Sequence, residues 1–280
     1  MNLTDSFAFA SRKIAQTKLH KLSEALRRYY PVKSGLTTIH NFDGDLKICL
    51  DRASYLSSVI YWRGYNSTSI ASFLKDHLRP DMTFVDVGAN LGEVTLLAAK
   101  RLTKGRVLAF EPMPLIFSQL SRNIALNNWS RVALFNIGLF DQTGSLPMYR
   151  TQDTHFGTIN EGESSLFSTG NDREEVRIPL RRFDEVAREY GLEHLDVIKI
   201  DVEGAEIMVL RGAEASIKKF GPVIIIEMSE ANIRRAGYAL NDLVGYLKYL
   251  DYNIEPLDHE GGKLTFHADM ICFPQSRGNR

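Results

Sequence analysis

Cysteine is scarce: Cys49 and Cys272 are the only two in 280 residues. Two distant thiols make neither a disulfide framework nor the CxxC spacing of a zinc or redox site, so they read as buried free thiols. Net charge is missing as well. The 34 Lys and Arg balance the 34 Asp and Glu, which leaves no chain-wide electrostatic footprint for nucleic acid. No stretch approaches the ~20 apolar residues of a membrane span. The N-terminus has no apolar core of signal-peptide type, so a cytoplasmic location is expected. What is present is ordinary globular composition, 44% apolar and 24% charged, enough for one large domain with a short extension.

The extension covers residues 1–60. Between Arg12 and Arg28, Ile14, Leu19, Leu22, Ala25 and Leu26 recur at helical spacing among basic residues. Such a helix suits the covering of one edge of the main fold. It also suits peripheral contact with an anionic membrane through residues 10–30. Leu36–Asn41 and Leu46–Leu50 flank Asp43-Gly44, a dipeptide fit for the positive φ angles of a hairpin turn. The main domain is expected over residues 61–280. It opens with a helix over 67–79, and from Thr83 the pattern becomes strand, glycine turn, helix, strand. Strands are predicted at 83–87, 106–110, 132–137, 195–200, 223–227, 254–257 and 264–273. Near-continuous apolar strands alternating with helices imply an α/β fold with a mostly parallel sheet covered on both faces. Asp141–Arg182 interrupts this rhythm with a polar insertion, the expected place for a functional loop.

Three strand ends carry chemistry. In Thr83–Glu93 a strand runs into a glycine turn and then a helix, the place where open α/β sheets bind nucleotide-like ligands. A dinucleotide fingerprint needs glycine at positions 90 and 93, which here hold Asn and Glu. Glu93 would repel a pyrophosphate at the helix start, and no Gly-Lys-Ser/Thr follows to make a P-loop. A ligand bearing an ammonium and a sulfonium suits this acidic turn better, with Asp86 placed to favour the cation. At the second strand end, Glu111 can accept hydrogen bonds from both hydroxyls of a ribose. At the third, Asp201 is expected beside Asp86 across the switch-point crevice. Glu203 and Glu206 follow it as acids in a helix's first turn.

These segments, FVDVGANLGEVT (84–95), GRVLAFEP (105–112) and IKIDVEGAEIMVLRGA (198–213), resemble the FkbM family of S-adenosylmethionine-dependent methyltransferases. The resemblance implies a Rossmann-like class I methyltransferase fold of seven strands, the last antiparallel. It further implies that Asp86, Gly88, Asn90 and Gly92 line the methionine end of the cofactor. Glu111 would hold its ribose, and the loop with Gly138, Leu139 and Asp141 would lie beside its adenine. The implied acceptor is a hydroxyl on a sugar, glycan or polyketide-like small molecule. The chain departs from the family at Tyr65-Asn66, where a Tyr-Glu pair is common.

A hydroxyl acceptor must lose its proton, which calls for a base. Asp201 and Glu227, at the ends of adjacent strands, are the candidates, with His155 in the insertion as a third. Phe156, Ser164, Ser165 and Phe167 are candidate lid residues. No His/Cys ligand cluster is present, so no transition-metal site is expected; a divalent ion held by Asp201 and Glu227 stays open as an alternative. The third strand ends in Asp-Val-Glu-Gly and lacks the Asp/Asn-Pro-Pro-aromatic pattern of adenine-amino methylation. With the balanced charge, this argues against a nucleic-acid partner. The alternatives are an NAD-dependent Rossmann oxidoreductase and a non-catalytic cofactor-binding module.

Overall fold

A computed structural model describes residues 3–15, 22–23, 25–26, 35–151, 154–155, 158–159, 164–168, 172–257 and 267–275. The apolar runs become a seven-stranded sheet. Its strands are β3 (Thr83–Val87), β4 (Arg106–Phe110), β5 (Val132–Phe135), β12 (Val197–Ile200), β13 (Val223–Ser229), β14 (Tyr252–Pro256) and β15 (His267–Pro274), in the spatial order β5-β4-β3-β12-β13-β15-β14. β5 through β13 are parallel, and β15 inserts antiparallel between β13 and β14. The antiparallel final strand is present, and β12 lies beside β3, which puts Asp201 next to Asp86 as expected. Every residue of β3 and β12 is buried, which is why these strands read as mainly apolar, with Thr83, Asp86 and Lys199 the exceptions.

Alternation along the strands divides the core in two. Val85, Val87, Leu108 and Ile198 pack with Met208, Val209 and Leu247 from the helices of one face. Phe84, Val107, Ala109 and Val197 pack with Leu96 and Leu97 on the other. The N-terminal elements join this second layer through Ala8, Ile48, Leu50, Ile60 and Trp62. The hairpin β1 (Leu36–Phe42) and β2 (Leu46–Asp51) turns through Asp43 at φ 43° and Gly44 at φ 96°. Its tip is pinned. Asp43 lies 3.3 Å from both Lys100 and Arg101 and accepts a 2.6 Å hydrogen bond from the Tyr65 hydroxyl. Buried Asn123 joins the hairpin to the glycine turn, accepting from the Cys49 N–H at 2.7 Å and donating to the Leu91 carbonyl at 2.8 Å.

Two N-terminal features differ from expectation. Helix α1 runs Leu3–Ala15, ahead of the stretch predicted, and Ala8 and Ser11 are buried. Arg12 turns inward and donates to the Tyr61 carbonyl at 2.8 Å, so it is not part of a free basic face. Residues 16–21 lie outside the described residues. Helix α2 (Tyr55–Arg63) crosses residue 60 and was not visible in the periodicity. Ser57 through Trp62 are all buried, so it has no polar face to set a 3.6-residue rhythm. Helix α3 (Thr68–His77) follows as expected, its start capped by the Ser67 hydroxyl.

The described residues of the insertion contribute to a second sheet. Strands β6 (Gly138–Leu139), β7 (Gly144–Thr151), β10 (Ser164–Ser165) and β11 (Asp172–Arg181) lie in the order β10-β7-β11-β6. Strands β8 (Thr154–His155) and β9 (Thr158–Ile159) form a separate ribbon. No helix among the described residues is long and apolar enough to cross a membrane.

Candidate active site

The carboxyl ends of β4, β3, β12 and β13 border one cleft of about 290 Å³. It opens where the strand order reverses, between β3 and β12. The glycine turn makes the cleft possible. Gly88 sits at φ +76°, and a Cβ there would lie 1.8 Å from the Asp201 carbonyl oxygen, so no side chain fits. The Gly88 and Ala89 N–H groups donate to the Phe110 carbonyl at 3.1 and 3.0 Å, which fastens the turn to β4. Gly92 acts away from the cleft, since a Cβ there would press on the Leu120 side chain at 2.7 Å.

Glu111 borders the cleft at the tip of β4. Its carboxylate accepts from the Asn90 N–H at 3.0 Å and the Met113 N–H at 2.9 Å. Burial pushes its pKa up to about 7. On the far side of Glu111 the lining is apolar, with Pro112, Ile116, Leu139, Met148, Ile178 and Leu180. Gly138 also lines it, close under Leu180. Asp141 is not among the lining residues, and its carbonyl accepts instead from Arg182 at 2.6 Å.

Asp86 does not border the cleft either. It is fully buried behind the turn, and accepts a 2.6 Å hydrogen bond from the Thr95 hydroxyl. Its charge is answered by Lys199, a lone cation in an apolar strand. The Lys199 ammonium lies 3.6 Å from Asp86, 3.2 Å from Asp201 and 2.9 Å from the Gly88 carbonyl. Burial alone would lower the lysine pKa, but Asp201 and Asp86 together raise it. Burial raises that of Asp86. The expected neighbours Asp86 and Asp201 are therefore brought together, but by an interior lysine rather than by a ligand.

Beyond Lys199 the cleft turns acidic. Carboxylate oxygens of Asp201, Glu203 and Glu227 lie within 4.8 Å of one another, a spacing that would also accommodate a cation. Burial first, and then repulsion from Asp201, Glu203, Glu206 and Asp269, pushes Glu227 up to about 10. Glu206 stays out of the cleft. Its carboxylate caps the preceding loop, accepting from the Gly204 and Val202 N–H groups at 3.1 and 3.3 Å. Two of the expected lid residues brace that loop. The Ser165 hydroxyl donates to the Glu203 carbonyl at 2.8 Å, and Phe167 lies close over Gly204. Ser164 lines the cleft. His155 belongs to the β8–β9 ribbon, and its side chain, like Phe156, lies outside the described residues.

Residue periodicity gave no warning of the N-terminal wall. Tyr55, Asn66 and Ser67 line the cleft. The Ser67 hydroxyl donates to Asp269 at 3.2 Å, and the Asn66 N–H donates to Glu93 at 2.8 Å. Position 66, where the family pattern has glutamate, thus contributes its backbone. Lys199 was legible in retrospect: a single lysine inside Val-Ile-Lys-Ile, where all other positions are apolar, signals a buried partner.

A switch-point cleft over a 3-2-1-4-5 parallel sheet with an antiparallel final strand defines the Rossmann-like class I methyltransferase fold. Residues 86–254 match the Methyltransferase FkbM domain, and the chain belongs to that family. Methyltransferase sdnD of Sordaria araneosa is 32% identical over 170 residues, which is 52% of this chain and 66% of that protein. The 2-O-methyltransferase NoeI of Sinorhizobium fredii is 25% identical over 50% of this chain and 61% of its own length. The 31-O-demethyl-FK506 methyltransferase FkbM of Streptomyces tacrolimicus is 29% identical over 49% of this chain and 61% of its own. The chain thus spans less than two thirds of each of these relatives.

Proposed function

We propose that this protein transfers a methyl group from S-adenosylmethionine to a hydroxyl oxygen of a small molecule or glycan. The observation that carries the reading is the glycine turn of β3, closed against Asp201 on one side and Glu111 on the other, over a single cleft. The residues fit the cofactor. Glu111 stands where a carboxylate can take two ribose hydroxyls, and the apolar wall beyond it suits a purine face. No side chain blocks the passage over Gly88 toward the acids. Two of the relatives carry names that specify an oxygen acceptor. Family membership and the acidic helix start at Glu93 displace the nicotinamide alternative.

When bound, the sulfonium cofactor supplies an already activated methyl group, so the protein's task is alignment and proton removal. Asp201 is the base that this reading assigns, held in place by the Lys199 ammonium at 3.2 Å. Glu227, pushed up to about 10, carries a proton at neutral pH and so donates a hydrogen bond to the acceptor rather than taking its proton.

The test is thermal. S-adenosylhomocysteine should raise the Tm of the wild-type chain, and Glu111→Ala should remove most of that rise. A labelled-methyl screen against sugars, glycolipids and polyketide-like alcohols then identifies the acceptor. No shift at millimolar ligand refutes the cofactor. A shift without transfer to any hydroxyl favours the non-catalytic binding module.

A further inference from the structure

We infer that Glu93 is a cofactor-recognition residue whose carboxylate receives the α-ammonium of the cofactor's amino-acid arm, an inference that rests on the methyltransferase reading above. The placement follows from what surrounds the turn. With the ribose at Glu111 and the base against the apolar wall beyond it, the rest of the cofactor must run the other way, across Gly88. There the lining is Glu93, Asn66 and Ser67. Ser67 is tied to Asp269 on β15, which fixes this corner on the side of the turn opposite Glu111.

Within that corner the hosts for an ammonium are few. The Gly88 carbonyl is already taken by Lys199 at 2.9 Å, and Lys199 itself repels a cation. Asp86 is sealed behind the turn. Asp201 receives Lys199 and serves the reacting end. Glu93 is 7% exposed, and one of its oxygens accepts from the Asn66 N–H at 2.8 Å. The other takes no hydrogen bond from the described residues, and Glu93 lines the cleft. A carboxylate anchored by one oxygen, with the second presented to a low-dielectric pocket, is a pre-organised cation host. Burial pushes this group up to about 7, outweighing the lowering effects of the Asn66 N–H, Lys199 and Arg63.

The decisive comparison uses two probes, S-adenosylhomocysteine and 5′-methylthioadenosine, which shares the adenosyl thioether but lacks the amino-acid arm. Titration calorimetry at pH 8 on the full chain compares wild type with Glu93→Gln. The amide keeps the side chain's shape and can still accept from Asn66. The variant should lose about tenfold or more in affinity for S-adenosylhomocysteine, the worth of one charge-assisted hydrogen bond. Its affinity for 5′-methylthioadenosine should be unchanged, which also certifies that it is folded. Equal affinity of both proteins for S-adenosylhomocysteine, or a parallel loss for both probes, overturns the assignment while leaving the cofactor reading intact. If wild type binds neither probe, the cofactor reading fails and this inference fails with it.

Discussion

Glu111→Gln isolates the free energy stored in a buried carboxylate. In the ligand-free protein, Glu111 is 5% exposed and burial raises its pKa from 4.5 to about 7. The folded state therefore holds a proton that the unfolded chain releases. A raised carboxyl pKa means stability is full below about pH 4.5 and is lost as pH rises through about 7. At about 1.4 kcal/mol per pH unit, that interval corresponds to a loss of about 3 kcal/mol. The amide cannot ionise, so it escapes this loss. It has its own constant penalty, because its NH₂ must face one of the two N–H donors of Asn90 and Met113, at about 1–3 kcal/mol. The difference in unfolding free energy between variant and wild type should therefore shift by up to about 3 kcal/mol in the variant's favour between pH 4.5 and pH 8. Glu93 and Glu206, also raised to about 7, are common to both proteins and cancel. Urea unfolding without ligand, at half-unit pH steps, measures the shift. A difference that is independent of pH, or that grows against the variant at high pH, refutes the argument.

Two further outcomes follow. Gly88→Ala should be severely destabilising and should abolish nucleoside binding, since its Cβ would sit 1.8 Å from the Asp201 carbonyl and the residue has φ +76°. A soluble alanine variant with a wild-type Tm would count against the turn geometry. Asn123→Ala should lower stability by about 1–3 kcal/mol through the loss of its two buried bonds, to Cys49 and Leu91. A change in the midpoint of urea unfolding below experimental error would show that the hairpin is held elsewhere.

The parallel part of the sheet was legible because its strands are mainly apolar and several run into glycine or an acid. Thr83–Val87 and Val223–Glu227 could be placed from these features alone, and the second of these runs on to Ser229. The cleft was legible at Gly88, Glu111, Asp201 and Glu227 for the same reason. Helix α2 was not, because burial on every side erases the amphipathic rhythm. The burial of Asp86 behind the turn was not legible, because sequence gives strand position but not which way a side chain faces. The Asn66–Ser67 wall was out of reach because its partners Glu93 and Asp269 lie 27 and 202 residues away.

That last separation has a bearing on how the protein is made. The Ser67 hydroxyl bond to Asp269 and the cleft positions of Tyr55 and Glu227 mean that a ribosome must release nearly the whole described chain before the cavity has all its sides. The glycine turn and Glu111 emerge early, yet the bond that ties Ser67 to Asp269 must wait for β15, which lies between β13 and β14. Nascent or C-terminally clipped chains would carry the nucleotide-binding signature without the enclosure, so ligand affinity should report on completion of synthesis rather than on the presence of the motif.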